Sequence, residues 1–142
     1  MRALYDVNVL IALFDPQHTQ HYKAKERHAQ SQTHGWASCP LTQNGLLRIV
    51  SHSRYTNPAT VAELMALLAG ATADPSHEFW PDDVSLAKSG TLQPEAPLTS
   101  AVVTDVYLLA LAVKHAGCLI TLDKRISRSA IIGASPSHLV VL

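Results

Sequence analysis

Three aspartates in this sequence stand where side chains can do chemistry. Asp6 directly follows a short strand predicted over residues 2–5, and Asp123 follows an apolar run, residues 118–122, that predicts a second strand. Asp105 lies early in a long, otherwise apolar helix. Carboxylates that meet without a counter-ion repel one another, and each then has a raised pKa. Together they predict a site for a hard divalent cation, Mg²⁺ or Mn²⁺, with open water positions.

Each of these aspartates also has a purely structural interpretation. Asp6 can cap the helix that follows it, and Asp123 can cap the turn that follows it. Asp105 can be an ordinary acid in the first turn of its helix, with Thr104 packed beside it. The strand-end placement of two of the three favours the metal site, because ligands bind at the carboxyl ends of parallel strands. The chemistry predicted for such a site is metal-assisted phosphoryl transfer.

The elements that must position these carboxylates alternate between strand and helix. Further strands are predicted over residues 36–39, 78–80 and 139–142. Helices are predicted over residues 9–14, 18–34, 42–53, 58–69 and 100–115, with a short one opened by Asp82 and Asp83. This alternation is typical of a three-layer α/β/α sandwich around a central parallel sheet, here a single domain over residues 1–142. Right-handed crossovers would place the first strand beside the strand that precedes Asp123.

Two helices in the middle of the chain form a predicted αα-hairpin, residues 42–53 and 58–69. Thr42 is expected to cap the first helix, Pro58 to occupy the first position of the second, and Gly70 to end it. The hairpin contains more apolar residues than one face of a sheet needs to cover it. We expect this surplus to form a homodimer interface.

Composition limits the class of protein. With 142 residues, 47% of them hydrophobic and 15% charged, the chain suits one globular domain with a proper core. The formal net charge is zero, so there is no basic signal for nucleic acid over the whole domain. Cys39 and Cys118 have apolar neighbours and are expected to be free, buried thiols. The sequence predicts neither a signal peptide nor a membrane span, and we expect a cytoplasmic protein.

The sequence resembles the PIN-domain ribonucleases, and specifically the VapC toxins of bacterial toxin–antitoxin pairs. The resemblance covers essentially the whole chain. It is carried by four segments: DVNVLIALFDP at 6–16, GWASCPLTQNGLLRIVS at 35–51, HEFWPDDVSL at 77–86 and VTDVYLLALAVKHAGCLITLDKRI at 103–126.

The resemblance implies an endoribonuclease that depends on Mg²⁺ or Mn²⁺, is neutralised by a VapB-type antitoxin and is usually dimeric. It implies that Asp6, Asp105 and Asp123 are both metal ligands and catalytic residues. It also implies that Asn8 and Thr104 are polar neighbours of that site.

One position departs from the resemblance. Relatives carry Glu in the segment LTQNGLLRI, where this chain has Gln43. An amide keeps an oxygen for a metal but loses the negative charge, which predicts weak, Mn²⁺-preferring activity that Gln43→Glu would strengthen. The alternative function is a PIN-fold module that binds RNA or protein and whose catalysis is weakened or lost.

Basic and aromatic residues offer candidate contacts to RNA. The candidate phosphate contacts are Arg48, Arg54, Lys124, Arg125 and Arg128. On a neutral protein, the simpler interpretation of each is an ordinary solvated charge. Trp80 and Tyr107 can stack on bases, although packing in the core is the favoured interpretation.

Overall fold

A five-stranded, all-parallel sheet forms the centre of the molecule. The computed structural model describes all 142 residues. The strands are β1 (Ala3–Tyr5), β2 (Trp36–Ser38), β3 (His77–Phe79), β4 (Cys118–Thr121) and β5 (Leu139–Val141). Their order across the sheet is β3-β2-β1-β4-β5. As expected, β1 lies beside β4, so the chain segments that follow these two strands leave the same edge of the sheet.

Five helices cover the two faces of this sheet. They are α1 (Val7–Phe14), α2 (His21–Ser31), α3 (Pro40–Val50), α4 (Val61–Thr72) and α5 (Val103–Lys114), followed by 3₁₀ turns at Arg128–Ala130 and Pro136–His138. None of these helices combines the length and the apolar character needed to cross a bilayer.

The core is divided in two by the sheet, because successive strand residues point to opposite faces. Tyr5 and Ile120 pack with apolar residues of α1 to α4 on one face. Leu4 and Leu119 pack with α5 and with Trp80 on the other. The predicted three-layer α/β/α sandwich is therefore confirmed. The two cysteines are free and buried, also as predicted.

The first helix of the αα-hairpin begins earlier than predicted. Thr42 is not its N-cap, because α3 begins at Pro40 and Cys39 occupies the cap position. Proline suits the first helical position, where the missing N–H would have no partner. The buried Thr42 hydroxyl instead accepts from the Cys39 backbone N–H at 3.0 Å, inside the first turn.

The second helix of the hairpin is displaced towards the C-terminus. It begins at Val61 rather than Pro58, because Thr60 and Glu63 form a reciprocal capping box. The Glu63 N–H donates to Thr60 Oγ1 at 3.2 Å, and the Thr60 N–H donates to Glu63 Oε2 at 2.8 Å. Gly70 does not end this helix, which continues to Thr72.

The short helix predicted at Asp82 and Asp83 is absent. The chain has no helix between β3 and α5. Both carboxylates bind other elements instead of capping their own: Asp82 accepts from the Leu41 N–H at 3.0 Å, and Asp83 pairs with Lys114 at 2.9 Å. The prediction failed because acidic residues that stabilise a helix N-terminus locally are also suited to long-range contacts.

Candidate functional site

An open cleft at the carboxyl edge of the sheet contains all three aspartates that the sequence singled out. Asp6 directly follows β1, Asp123 lies two residues beyond the end of β4, and Asp105 lies in the first turn of α5. Three separate elements thus bring a carboxylate to one concave surface.

Asp6 is held rigidly at the base of the cleft. Only 3% of the residue is exposed. Its Oδ1 accepts from the Val7 N–H at 2.6 Å, so the residue is the N-cap of α1, and its Oδ2 accepts from Thr121 Oγ1 at 2.7 Å. Burial raises the pKa of Asp6, and the charge of Asp123 adds to this, although both hydrogen bonds oppose the shift. Asp6 therefore caps helix α1 and lines the cleft at the same time.

Asn8 and Thr121 tie the loop after β4 to the start of α1. The Leu122 N–H donates to Asn8 Oδ1 at 3.2 Å, and the Asp123 N–H donates to Thr121 Oγ1 at 3.0 Å. Thr121 is fully buried and contacts Asp6 as well, so it fixes the two strand ends relative to each other. The sequence analysis missed Thr121; its signal is a hydroxyl at the last strand position, two residues before Asp123.

Asp105 carries the least compensated charge in the cleft. Burial, followed by the charges of Asp6 and Asp123, raises its pKa to about 6, against an opposing effect of Arg125. No hydrogen bond from the protein lowers this value. Thr104, its neighbour in the first turn of α5, also lines the cleft.

Asp123 is bound by a cation from its own loop. Arg125 Nε donates to both carboxylate oxygens of Asp123, at 3.0 Å each, and the Arg125 backbone N–H donates to Oδ1 at 2.8 Å. These hydrogen bonds lower the pKa of Asp123. The turn-capping interpretation of Asp123 thus also holds, within the same cleft.

Helix α3 also lines the cleft. Its lining residues include Asn44, Gly45 and Arg48, and Asp82 lines the cleft as well. Gly45 is required by the close approach of α1, because a Cβ at this position would lie 2.7 Å from a methyl group of Val7. Of these residues, the sequence analysis selected only Arg48 as a site candidate. Asn44 lies four residues before Arg48 on the same helix face, and this spacing was the signal from which Asn44 could have been selected.

A family model of the PIN domain matches residues 3–132. The chain belongs to the PIN-domain family. It is 45% identical to Ribonuclease VapC44 of Mycobacterium tuberculosis over the full length of both chains. It is 40% identical to Ribonuclease VapC39 of the same organism over 134 residues, which cover 94% of this chain and 96% of that protein. Ribonuclease VapC38 is 36% identical over 124 residues, 85% of this chain and 84% of that protein. The resemblance inferred from the sequence is thereby confirmed.

Gln43 lies outside the cleft of this PIN domain. Its amide Nε2 donates to Ser38 Oγ at 2.9 Å, and Ser38 Oγ is in turn 2.8 Å from His77 Nε2. In this structure the Gln43 amide is directed to Ser38 and not to the aspartates. The expectation took Thr42 as the N-cap, whereas Cys39 is the N-cap, so Gln43 is the fourth helical residue instead of the first.

Other candidates also fall outside the cleft. Arg54 is exposed in the loop after α3, and Lys124 is exposed beside Asp123; neither lines the cleft, whereas Arg48 and Arg125 do. Trp80 is only 2% exposed and packs in the core, which excludes base stacking by its ring in this structure.

The donor set of the PIN-domain cleft suits a hard divalent cation. Carboxylate oxygens are the ligands that Mg²⁺ and Mn²⁺ prefer, and the pKa of Asp105 is raised first by burial and then by the charges of Asp6 and Asp123, which a bound cation would offset. As arranged here, no group of three or more His, Cys, Asp or Glu side chains is compact enough to hold a metal ion. Asp6 and Asp105 face the cleft without a cationic partner, while both oxygens of Asp123 bind Arg125.

Proposed function

We propose that this PIN-domain protein is a ribonuclease toxin of a toxin–antitoxin pair, which hydrolyses RNA phosphodiester bonds inside the chain with Mg²⁺ or Mn²⁺ as cofactor. The observation that carries the proposal is the convergence of Asp6, Asp105 and Asp123 on one cleft at the carboxyl edge of the sheet. The similarity to three proteins named Ribonuclease VapC supports RNA as the substrate.

In this proposal Asp6, Asp105 and Asp123 are the catalytic residues that hold the metal ion. A divalent ion bound there lowers the pKa of water and offsets the charge that develops on the phosphate. Asp6 is oriented for this role by Val7 and Thr121. Asp105 accepts no competing hydrogen bond, so its oxygens are free for the ion.

Arg48 is the proposed contact for the RNA backbone. Its side chain lines the same cleft as the three aspartates, where a guanidinium can bind a phosphate oxygen. Because the protein has no net charge, attraction of RNA relies on such local contacts rather than on the overall field. Arg54 and Lys124 do not line the cleft, so in this proposal Arg48 is the leading phosphate contact.

The proposal includes a partner that keeps the nuclease inactive in its own cell. A VapB-type antitoxin with a basic side chain that enters the acidic cleft would neutralise the charges of Asp6 and Asp105. We place both proteins in the cytoplasm, where their RNA targets are. Co-expression with the antitoxin should relieve growth inhibition, and unchanged toxicity would contradict this part of the proposal.

The nuclease activity is tested with purified protein and a labelled single-stranded RNA, with Mg²⁺, with Mn²⁺ and with EDTA. We expect internal cleavage that requires the divalent ion and falls at least about 100-fold in Asp6→Asn. Glu95→Gln is the matched control, because Glu95 is an exposed carboxylate that does not line the cleft. Cleavage that persists in EDTA, or equal rates for both variants, would contradict the proposal.

The catalytically weakened binding module gains no support from the structure. That alternative depended on Gln43 as a neutral replacement in the metal site. Since Gln43 binds Ser38 and does not line the cleft, its missing charge does not weaken the site.

A further inference from the structure

We propose that Arg125 competes with the divalent cation for Asp123, so that the guanidinium must leave before Asp123 can bind the ion. The inference rests on the proposed function, because it concerns how the cleft acquires its metal. It assigns Arg125 a regulatory role in place of the solvated charge or simple phosphate contact that the sequence indicated.

The first support is the saturation of the Asp123 carboxylate. Arg125 reaches it with its backbone N–H, with Nε to both oxygens, and with Nη2 to Oδ2. Both oxygens of Asp123 therefore already accept from a cationic donor, and a metal ion that used them would have to displace it. Arg125 and Asp123 both line the cleft, so the contact lies within the site itself.

The second support is the contrast with the other two aspartates. Asp6 accepts only from uncharged groups, the Val7 N–H and the Thr121 hydroxyl, one on each oxygen. Asp105 accepts from no protein group. Of the three aspartates, Asp123 alone forms an ion pair.

The third support is that the Arg125–Asp123 pair can be displaced. The Arg125 side chain is 63% exposed, and exposed ion pairs contribute little to stability. The arginine side chain is long and flexible, so it can move into solvent without disturbing the core. A divalent ion that also binds Asp6 and Asp105 gains two further ligands that Arg125 does not have, and so outcompetes the guanidinium at sufficient concentration.

The test is calorimetric titration of Mn²⁺ into the full-length protein at pH 7.5, without RNA. We expect Arg125→Ala to bind Mn²⁺ about fivefold or more tightly than the unmodified protein, and Arg125→Lys, which keeps the charge but lacks the planar fork, to lie between them. Lys124→Ala is the matched control, because Lys124 is the adjacent exposed cation outside the cleft lining, and its affinity should change less than about twofold.

A second measurement observes Arg125 directly. In the NMR spectrum of the unmodified protein, the Arg125 Nε–H resonance should shift as Mg²⁺ is added and should follow the binding isotherm. A resonance that does not change at saturating Mg²⁺ would overturn the inference, as would equal Mn²⁺ affinities for Arg125→Ala and Lys124→Ala. If no variant binds Mn²⁺ at all, the proposed metal-dependent function fails as well, whereas equal binding by all variants overturns the inference alone.

Discussion

The charge of a single residue, Asp105, lowers the stability of the folded protein at neutral pH. Partial burial of its carboxyl group, followed by the charges of Asp6 and Asp123, raises its pKa to about 6, and no protein hydrogen bond opposes the shift. In the unfolded chain the same group has its ordinary value of 3.8. At neutral pH, folding therefore brings an ionised group into an environment that disfavours its charge, and the folded state is destabilised.

Asp105→Asn should therefore stabilise the protein in EDTA at pH 7.5. Because the side chain is part-exposed, solvent screening limits the gain to about 1 kcal/mol. The raised pKa means that the penalty is largest above pH 6 and disappears below about pH 4, where both states are protonated. Urea unfolding at pH 7.5 and below pH 4 measures the difference in unfolding free energy between Asp105→Asn and the unmodified protein. A loss of stability in the variant at pH 7.5 would contradict the penalty on the charged carboxylate.

Gln43→Glu provides a second test at the residue scale. The Gln43 amide faces Ser38 and the ring of His77, away from the aspartates. A carboxylate there adds no ligand to the cleft, so Mn²⁺ affinity measured by calorimetry should stay within about twofold of the unmodified protein. A large gain in affinity would show that position 43 reaches the metal after all.

At the scale of elements, the loop between α3 and α4 is fastened to the end of α1. Asp15 is only 6% exposed, and its carboxylate accepts from the Tyr55 hydroxyl and from Asn57 Nδ2 at 3.0 Å. Burial alone would raise the pKa of Asp15, but these bonds and the Gln17 N–H outweigh it, and the pKa is lowered. The contact joins α1 to the loop of the αα-hairpin, whose first helix lines the cleft.

Tyr55→Phe should destabilise the protein by about 1.5–3 kcal/mol at pH 7, since a buried carboxylate loses a hydrogen bond. A lowered folded pKa gives stability above the ordinary pKa of 3.8 that is lost as the pH falls through the folded value. The difference between the variant and the unmodified protein in urea unfolding should therefore shrink in acid. Tyr22→Phe, at a tyrosine that is 84% exposed, is the control and should have no effect.

The sequence predicted the sheet well because most of its strands are short apolar runs flanked by Gly, Asp or Pro: Asp6 follows β1, Gly35 and Pro40 flank β2, and Gly117 and Asp123 flank β4. Helix starts were harder to predict. Pro40 lies two residues after the end of β2 and is also the first residue of α3. The local pattern around one proline does not show both roles. That error moved the N-cap from Cys39 to Thr42 and changed the expected direction of the Gln43 side chain. A strand-end aspartate is therefore easier to predict than a site residue on a helix. The Arg125–Asp123 contact depends on side-chain conformation, which no spacing rule supplies.

At the scale of the whole molecule, α4 leaves an apolar surface uncovered. Val61, Met65 and Leu67 are 46%, 54% and 52% exposed, while Leu64 and Leu68 on the same helix are buried in the core. An apolar surface of this kind on a small domain favours a partner surface, and we propose a second copy of the chain. Val61 also lines the cleft that contains the aspartates, so a dimer interface on this surface would adjoin the cleft.

The dimer proposal predicts twice the monomer mass in light scattering at micromolar concentration. Met65→Glu should shift the protein to monomer, because an exposed carboxylate in the interface would have to be desolvated. Tyr22→Glu, which changes an exposed apolar residue on α2, should leave the mass unchanged. A monomer in the unmodified protein would contradict the proposal.

The central proposal is that a divalent cation binds in the cleft of Asp6, Asp105 and Asp123. The most direct test is a crystal structure of the protein soaked in Mn²⁺, with anomalous data collected at the manganese edge. We predict an anomalous peak in the cleft, about 2.1 Å from carboxylate oxygens of Asp6 and Asp105, and its loss in Asp6→Asn. A cleft without a peak at saturating Mn²⁺, or an unchanged peak in Asp6→Asn, would contradict the account.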